Sequence, residues 1–250
     1  MKIDLNCDLG ESFGIYTIGN DELIMDYVTS VNIACGFHAG DPEIMEKTVQ
    51  IAIRKGVSIG AHPGYPDLQG FGRRAMNLSN DALRASMIYQ INALKGFVEL
   101  YGGKLRHVKP HGALYNLATK DYNTALVIAQ AVYDIDPNLI LMGLAGSQMI
   151  KAAQSVGLSV ASETFADRRY TDQLTLVPRG VEGAVIESVE DSIIQCMSII
   201  KSQTVVDING DIRNLEGDSI CIHGDNAHGI ELVKSLLDAL EQESITVEAL

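Results

Sequence analysis

Short apolar segments in this chain repeatedly end on an ionisable residue. They run Ile3-Asp4-Leu5-Asn6-Cys7-Asp8, Val31-Asn32-Ile33-Ala34-Cys35, Val57-Ser58-Ile59-Gly60-Ala61-His62, His107-Val108-Lys109-Pro110-His111 and Ile220-Cys221-Ile222-His223-Gly224-Asp225. Each has the composition of a strand, and helix-like segments lie between them. That alternation implies a parallel sheet joined by right-handed crossovers. In a parallel β/α barrel the C-terminal ends of all strands open onto one mouth, where residues from distant parts of the chain converge. A purely structural chain has no reason to end its strands on acids, histidines and a lysine, so the pattern predicts an enzyme.

The helical segments carry their own punctuation. Asp41-Pro42 reads as an N-cap followed by proline at the first helical position, opening a helix to about Lys55 with Gly56 as its stop. Further helices are expected over Asp21 to Tyr27, Ser79 to Tyr101, Asp121 to Tyr133, Ser147 to Ser155, Val189 to Ser202 and Ala227 to Gln242, and strands over Leu139 to Met142, Leu158 to Ser162 and Ser219 to Ile222. The 250 residues match the usual size of a TIM-like barrel. A single α/β domain over residues 1–250, closed by about seven strands, is therefore expected. An open doubly wound sheet is the alternative, because periodicity cannot show that a sheet closes. Two connections are long for such a fold, Pro63 to Leu78 and Thr164 to Gly183, and long loops in compact domains are usually functional or disordered.

Composition removes several classes of function. The 19 basic and 32 acidic residues give a net charge of −13, with no basic cluster able to track a phosphate backbone or an anionic membrane. Trp is absent, so platforms for stacking bases are scarce. Asp4 interrupts any apolar signal region, and the most apolar stretches are too short to span a bilayer. The four cysteines are scattered without C-x-x-C pairing, as expected of reduced thiols in a cytoplasmic protein.

Asn6 and Asp8 lie two apart on one strand face, and Glu11 follows in the next turn. Acids at a barrel mouth can serve as general base and orienting group, or as metal ligands. His38 follows the second segment and His62 ends the third. Asp41 is explained by its capping role, and Cys35 by burial as a structural thiol. Lys109 and His111 share a face nearer the strand end than His107, which suits the barrel interior; Pro110 argues against a helical metal pair of His107 and His111. Five of nine arginines fall in the two long loops: Arg73, Arg74, Arg168, Arg169 and Arg179. Arginine suits bidentate contact with carboxylate or phosphate, and one member of each adjacent pair is expected to bind a local acid instead. Neither a phosphate-binding loop nor a dinucleotide or nucleophile-elbow motif is present.

Asn6-Cys7-Asp8-Leu9-Gly10-Glu11, Ala34-Cys35-Gly36-Phe37-His38-Ala39-Gly40-Asp41, Gly60-Ala61-His62-Pro63, Phe71-Gly72-Arg73-Arg74, Val108 to Tyr115, Glu163 to Tyr170 and His223-Gly224-Asp225 together resemble the LamB/YcsF family. Each motif is weak alone, but their order along nearly the whole chain is highly specific. The resemblance implies a barrel like that of glycoside hydrolases and polysaccharide deacetylases. It also implies ATP-dependent opening of the 5-oxoproline lactam to L-glutamate, with this chain as one component of a 5-oxoprolinase and subunits B and C as its partners. For that reaction, placement makes Asp8 the expected base with Glu11 orienting the water, His38 and His62 the acid or the binders of the developing anion, and Lys109 and His111 the groups that stabilise charge on the activated oxygen, the roles being interchangeable within the set. Asn6, Arg73, Glu163, Arg168, His223 and Asp225 are the candidates for substrate binding. ATP is the expected co-substrate, handled with the partners. A divalent metal on Asp8, His38 and His62, as in a metal-dependent deacetylase-like hydrolase, is one rival; a non-catalytic barrel that presents substrate is another. Self-association is left open.

Overall fold

The computed structural model describes residues 1–222 and 227–250, with the side chains of residues 227 and 228 left out. Its centre is a closed parallel barrel of seven strands: β1 (Lys2–Leu9), β2 (Ser30–Ala34), β3 (Ser58–His62), β4 (Leu105–Val108), β5 (Ile140–Leu144), β6 (Ser159–Phe165) and β9 (Ser219–Cys221). Closure comes from β9, which pairs with β6 through Glu163–Ser219 and with β1 through Asp4–Ser219. Between β6 and β9 the chain forms a small antiparallel hairpin, β7 (Thr204–Val206) with β8 (Ile212–Asn214). A two-residue strand, β10 (Thr246–Val247), pairs with the start of β1.

Helices α1 (Asp21–Ile24), α2 (Pro42–Lys55), α3 (Asn80–Leu100), α4 (Gly112–Lys120), α5 (Tyr122–Ile135), α6 (Gln148–Ser155), α7 (Val189–Met197) and α8 (Ala227–Gln242) complete the β/α order. Local chemistry sets their ends. Asp41 caps α2 by accepting from the Glu43 and Ile44 amides, Pro42 opens it, and Gly56 closes it in the left-handed region at φ 70°. Ser79 caps α3 and Ser147 caps α6 in the same way. The segment expected to be helical over Val189 to Ser202 is α-helical only to Met197 and finishes as a π-helical turn, Ser198–Ser202. Helix α1 stops at Ile24 rather than Tyr27, and α4 begins directly behind the fourth strand end.

Strand alternation sorts the side chains. Odd positions of β1 (Ile3, Leu5, Cys7, Leu9) join Val31 and Ile33 of β2 in the apolar layer that packs the helices. Even positions point into the barrel and are polar: Asp4, Asn6 and Asp8 on β1, Ser30 and Asn32 on β2. Buried polar groups must find partners, and these find one another. Asp4 accepts from Thr29, Ser30 and Ser219; Asn6 Nδ2 donates to Ser219 Oγ at 2.8 Å; Asn32 Nδ2 donates to Asn6 Oδ1 at 2.8 Å and Asp8 Oδ1 at 2.9 Å. His107 Nε2 donates to Asn32 Oδ1 at 2.7 Å, confirming His107 as a barrel-interior residue. Its ring occupies the space beside Gly60, where a methyl group would overlap it. A polar ladder thus climbs the barrel axis toward the mouth.

Candidate active site

Asp8 heads this ladder and is fixed on two sides. Lys109 Nζ donates to Asp8 Oδ1 at 2.9 Å, and His62 Nε2 lies 3.3 Å from Oδ2. Lys109 is itself buried and pairs with Glu163 Oε1 at 2.6 Å, with Cys221 Sγ at 3.3 Å and Asn6 Oδ1 at 3.4 Å. Tyr115, on α4, donates to the other oxygen of Glu163 at 2.7 Å. Burial opposes charge on Asp8, but His62 and Lys109 outweigh it and hold the carboxyl well below the usual carboxylate range. Burial likewise opposes charge on Lys109, and Asp8, Cys221 and Glu163 reverse it, so the ammonium persists far into alkaline pH.

Beside Asp8 stands a cluster of three histidines and an acid. The His38 and His111 rings stack at 3.7 Å with 5° between their planes. His62 meets His111 edge-on, His62 Nε2 lying 2.9 Å from His111 Nδ1. Glu11 Oε1 is 3.2 Å from His38 Nε2 and 3.5 Å from His111 Nδ1. One donor atom from each of Glu11, His38, His62 and His111 lies within 4.8 Å of the others, so this set could hold a metal ion. Asp8 sits at its edge, engaged by Lys109. The donor set therefore differs from the expected Asp8, His38 and His62: Glu11 and His111 join, and Asp8 stands beside it. Burial keeps His38 and His111 well below the usual histidine range, with neighbouring histidines adding to the effect. Burial raises Glu11. The first long loop closes over the cluster. Phe71 O accepts from His111 Nε2 at 2.8 Å, and Gly72, at φ 62°, has no room for a side chain because a Cβ would lie 2.7 Å from that of His38.

Above these groups opens a cavity of about 400 Å³, within the usual range for small-ligand sites. Its floor includes Asp8, Glu11, His62, Lys109 and His111; its walls include Phe71, Tyr115 and Phe165; and its rim carries Arg73, Arg168 and Arg179. Arg168 is buried, its Nη2 donates to Val177 O at 2.6 Å, and its Nε has no hydrogen-bond partner. Burial, reinforced by Arg179 and opposed by Asp167, lowers Arg168 to about 10. Arg74 instead pairs with Asp67, as expected for one member of that pair.

Asn6, His38 and Glu163 are fully buried and lie behind the cavity lining. Sequence position pointed to Asn6 and Glu163 as substrate contacts; the fold sets them below the floor, where they hold Asp8 and Lys109. His223 and Asp225 lie outside the described residues. Asn32 and Tyr115 are parts of the site that strand-end reasoning does not reach. Asn32 had a signal, a polar residue in phase with Ser30 on an otherwise apolar strand; Tyr115 had only its place in the Val108 to Tyr115 motif, because nothing in the sequence marks the start of its helix. Burial holds two thiols of the barrel in the protonated form, pushing Cys35 up to about 12 and Cys221 well above the usual range.

This arrangement has close relatives. The LamB/YcsF family model matches residues 3–250. The A component of 5-oxoprolinase from Geobacillus thermodenitrificans (strain NG80-2) is 52% identical over 248 residues, covering 99% of this chain and 96% of the relative. The protein of the same description from Staphylococcus aureus (strain MSSA476) is 49% identical over 250 residues, covering all of both. Among solved structures, the lactam utilization protein from Thermus thermophilus superposes with a TM-score of 0.95 at 41% identity, each chain covered in full. By sequence over its whole length and by the course of its backbone, the chain belongs to the LamB/YcsF family.

Proposed function

We propose that this chain is the ring-opening component of an ATP-dependent 5-oxoprolinase, working with two partner subunits to convert 5-oxoproline to L-glutamate. Two things support the reading: the descriptions of its relatives, and a cavity that pairs a cationic rim with an acid and histidine floor. The observation that carries it is the desolvated Arg168 beside Arg73 and Arg179, three guanidiniums converging on one cavity in a protein of net charge −13. That rim calls for an anionic substrate, and 5-oxoproline carries a carboxylate. A phosphoryl group on the lactam oxygen would add a second anion, and the cavity has room for both.

A lactam resists water because its amide is resonance-stabilised. Phosphorylation of the lactam oxygen at the expense of ATP, carried out on a partner, removes that resistance. Water then adds to the ring carbon, the C–N bond breaks as the nitrogen takes a proton, and the acyl phosphate so formed gives up its phosphate to a second water, leaving L-glutamate. Asp8 receives the proton of the attacking water, and Lys109 fixes its carboxylate. Asp8 then passes that proton to the departing nitrogen, with His62, which faces the cavity while His38 does not, fixed beside it. Lys109 acts by holding Asp8, since its neighbours already take up its donors. A carboxylate as acidic as Asp8 is a weak base alone, so the water must be acidified by positive charge at the floor.

The test is 5-oxoproline-dependent ATP hydrolysis and glutamate formation, measured with this chain alone and with subunits B and C. The isolated chain is expected to do neither, and the full set both. ATP-coupled turnover by the isolated chain would refute the division of labour.

A further inference from the structure

We infer that Glu11, His38, His62 and His111 form a binding site for one divalent transition-metal ion, resident at the floor of the cavity. The argument begins with hydrogen positions fixed by acceptors that cannot donate. His62 Nδ1 lies 2.7 Å from the backbone oxygen of Lys109, so Nδ1 carries the hydrogen and Nε2 presents a lone pair. His111 Nε2 lies 2.8 Å from the backbone oxygen of Phe71, so Nε2 carries the hydrogen and Nδ1 presents a lone pair. Yet His62 Nε2 and His111 Nδ1 face each other at 2.9 Å. Two neutral rings in these tautomers would point lone pair at lone pair in a buried site. Something positive must lie between or beside them.

The surroundings select a metal ion over a shared proton. Glu11 Oε1 adds a third lone-pair donor 3.5 Å from His111 Nδ1, and His38 Nε2, 3.2 Å from Glu11 Oε1, is a fourth in the tautomer that carries its hydrogen on the unpartnered Nδ1. Ligands about 2.0–2.1 Å from one ion lie roughly 2.9 Å apart at right angles and roughly 3.4 Å apart at tetrahedral angles. Three of the six donor spacings, 2.9, 3.2 and 3.5 Å, lie on or within about 0.1 Å of this range, and all four donors lie within 4.8 Å of one another. A shared proton needs two atoms; four converging donors suit an ion. Histidines that bind metals also pass their other N–H to a carbonyl or carboxylate, which fixes the tautomer, and His62 and His111 both do so. Three imidazoles and one carboxylate are the donor chemistry of zinc, manganese, iron, cobalt or nickel rather than of magnesium or calcium.

This site deepens the lactam reading, because a bound cation acidifies water beside Asp8. Its existence does not rest on that reading, and it is tested on the full chain without partners or substrate. After purification, chelation and desalting, Co²⁺ is titrated into the wild type and into His111→Ala and Glu11→Gln, following visible absorption bands and metal content. The wild type is expected to take up one equivalent tightly, with bands that saturate at that ratio. Both variants should bind at least about 10-fold more weakly, the lower end of what the loss of an outer-sphere partner alone costs. Circular dichroism reports whether they are folded. If the variants fail to fold, the wild-type titration decides, together with nitrogen-15 correlation spectra of its histidines. Those spectra should show His62 protonated only at Nδ1 and His111 only at Nε2 in the loaded protein. A wild type that binds no Co²⁺, or folded variants that bind it as tightly as the wild type, would overturn the site; an imidazolium shared between His62 and His111 would then explain the 2.9 Å contact.

Discussion

Replacing Lys109 with methionine removes the ammonium that joins Asp8 to Glu163 and lies 5.5 Å from the centre of the Phe165 ring, while keeping an unbranched apolar stem. Breaking a buried ion pair from one side costs about 3–5 kcal/mol, because the partner charge stays buried and uncompensated. Here two carboxylates are left behind. The variant can escape part of the cost by binding a proton between them, a coupled event that belongs to the pair. In a chain of this size each kcal/mol moves Tm by roughly 2–4 °C, so a drop of roughly 6–20 °C is expected at pH 7. The pH response then separates this mechanism from a simple packing loss. In the wild type Asp8 is held well below its unfolded range, so its contribution is present above the unfolded value and is lost only as pH falls through the folded one. Between pH 7 and 5 the wild type therefore keeps the Asp8 contribution. The variant, whose acid pair gains its proton more easily as pH falls, recovers over the same window. The gap in urea-denaturation stability should narrow toward pH 5, and a second substitution, Glu163→Gln, should narrow it at pH 7. A loss below about 1 kcal/mol, well short of the usual cost of stranding a buried charge, or a gap indifferent to pH, would refute the electrostatic account of the barrel interior.

Asp8→Asn should lower glutamate formation by roughly 10²-fold or more in the reconstituted complex while leaving the fold intact, as far-ultraviolet dichroism would report. Arg168→Lys keeps the charge but loses the planar fork, so KM for 5-oxoproline should rise, whereas Arg169→Ala, which does not line the cavity, should change it little; equal effects would remove Arg168 from substrate binding. Gly60→Ala drives a methyl into the His107 ring, which Asn32 holds in place, and should cost about 1–3 kcal/mol by thermal or urea unfolding.

The order of elements is legible because it rests on local chemistry. Asp41-Pro42, Gly56 and Ser79 act through their nearest neighbours in sequence, and the helix ends fall where those residues put them. Barrel closure is not legible, since it depends on the register between β9 and β1, more than two hundred residues apart. Helix α4 escapes a reading of the sequence because Gly112 follows Pro110-His111 so closely that the segment looks like the tail of a strand. The strand ends bring Asp8, His62 and Lys109 into one neighbourhood. They cannot show that Glu163, buried and polar on β6, faces inward to Lys109, nor that His38 stacks behind His111 out of reach of the cavity. Depth below a mouth is a tertiary property, invisible to spacing.

That depth divides the site into two fields of opposite sign. The rim presents Arg73, Arg168 and Arg179, while the interior below holds Asp4, Asp8, Glu11 and Glu163 around the single ammonium of Lys109. An anionic substrate is repelled by most of an acidic surface and drawn only to the rim, so the rim acts as the point of capture. For the substrate proposed above, the three guanidiniums of the rim hold the carboxylate. On that proposal the ring extends inward and carries the lactam carbon toward His62 and Asp8. The two fields thus fix orientation before any hydrogen bond to the ring forms. Reversing one of them by Arg73→Glu should cost binding more than a neutral substitution at the same position, and the difference should shrink in high salt.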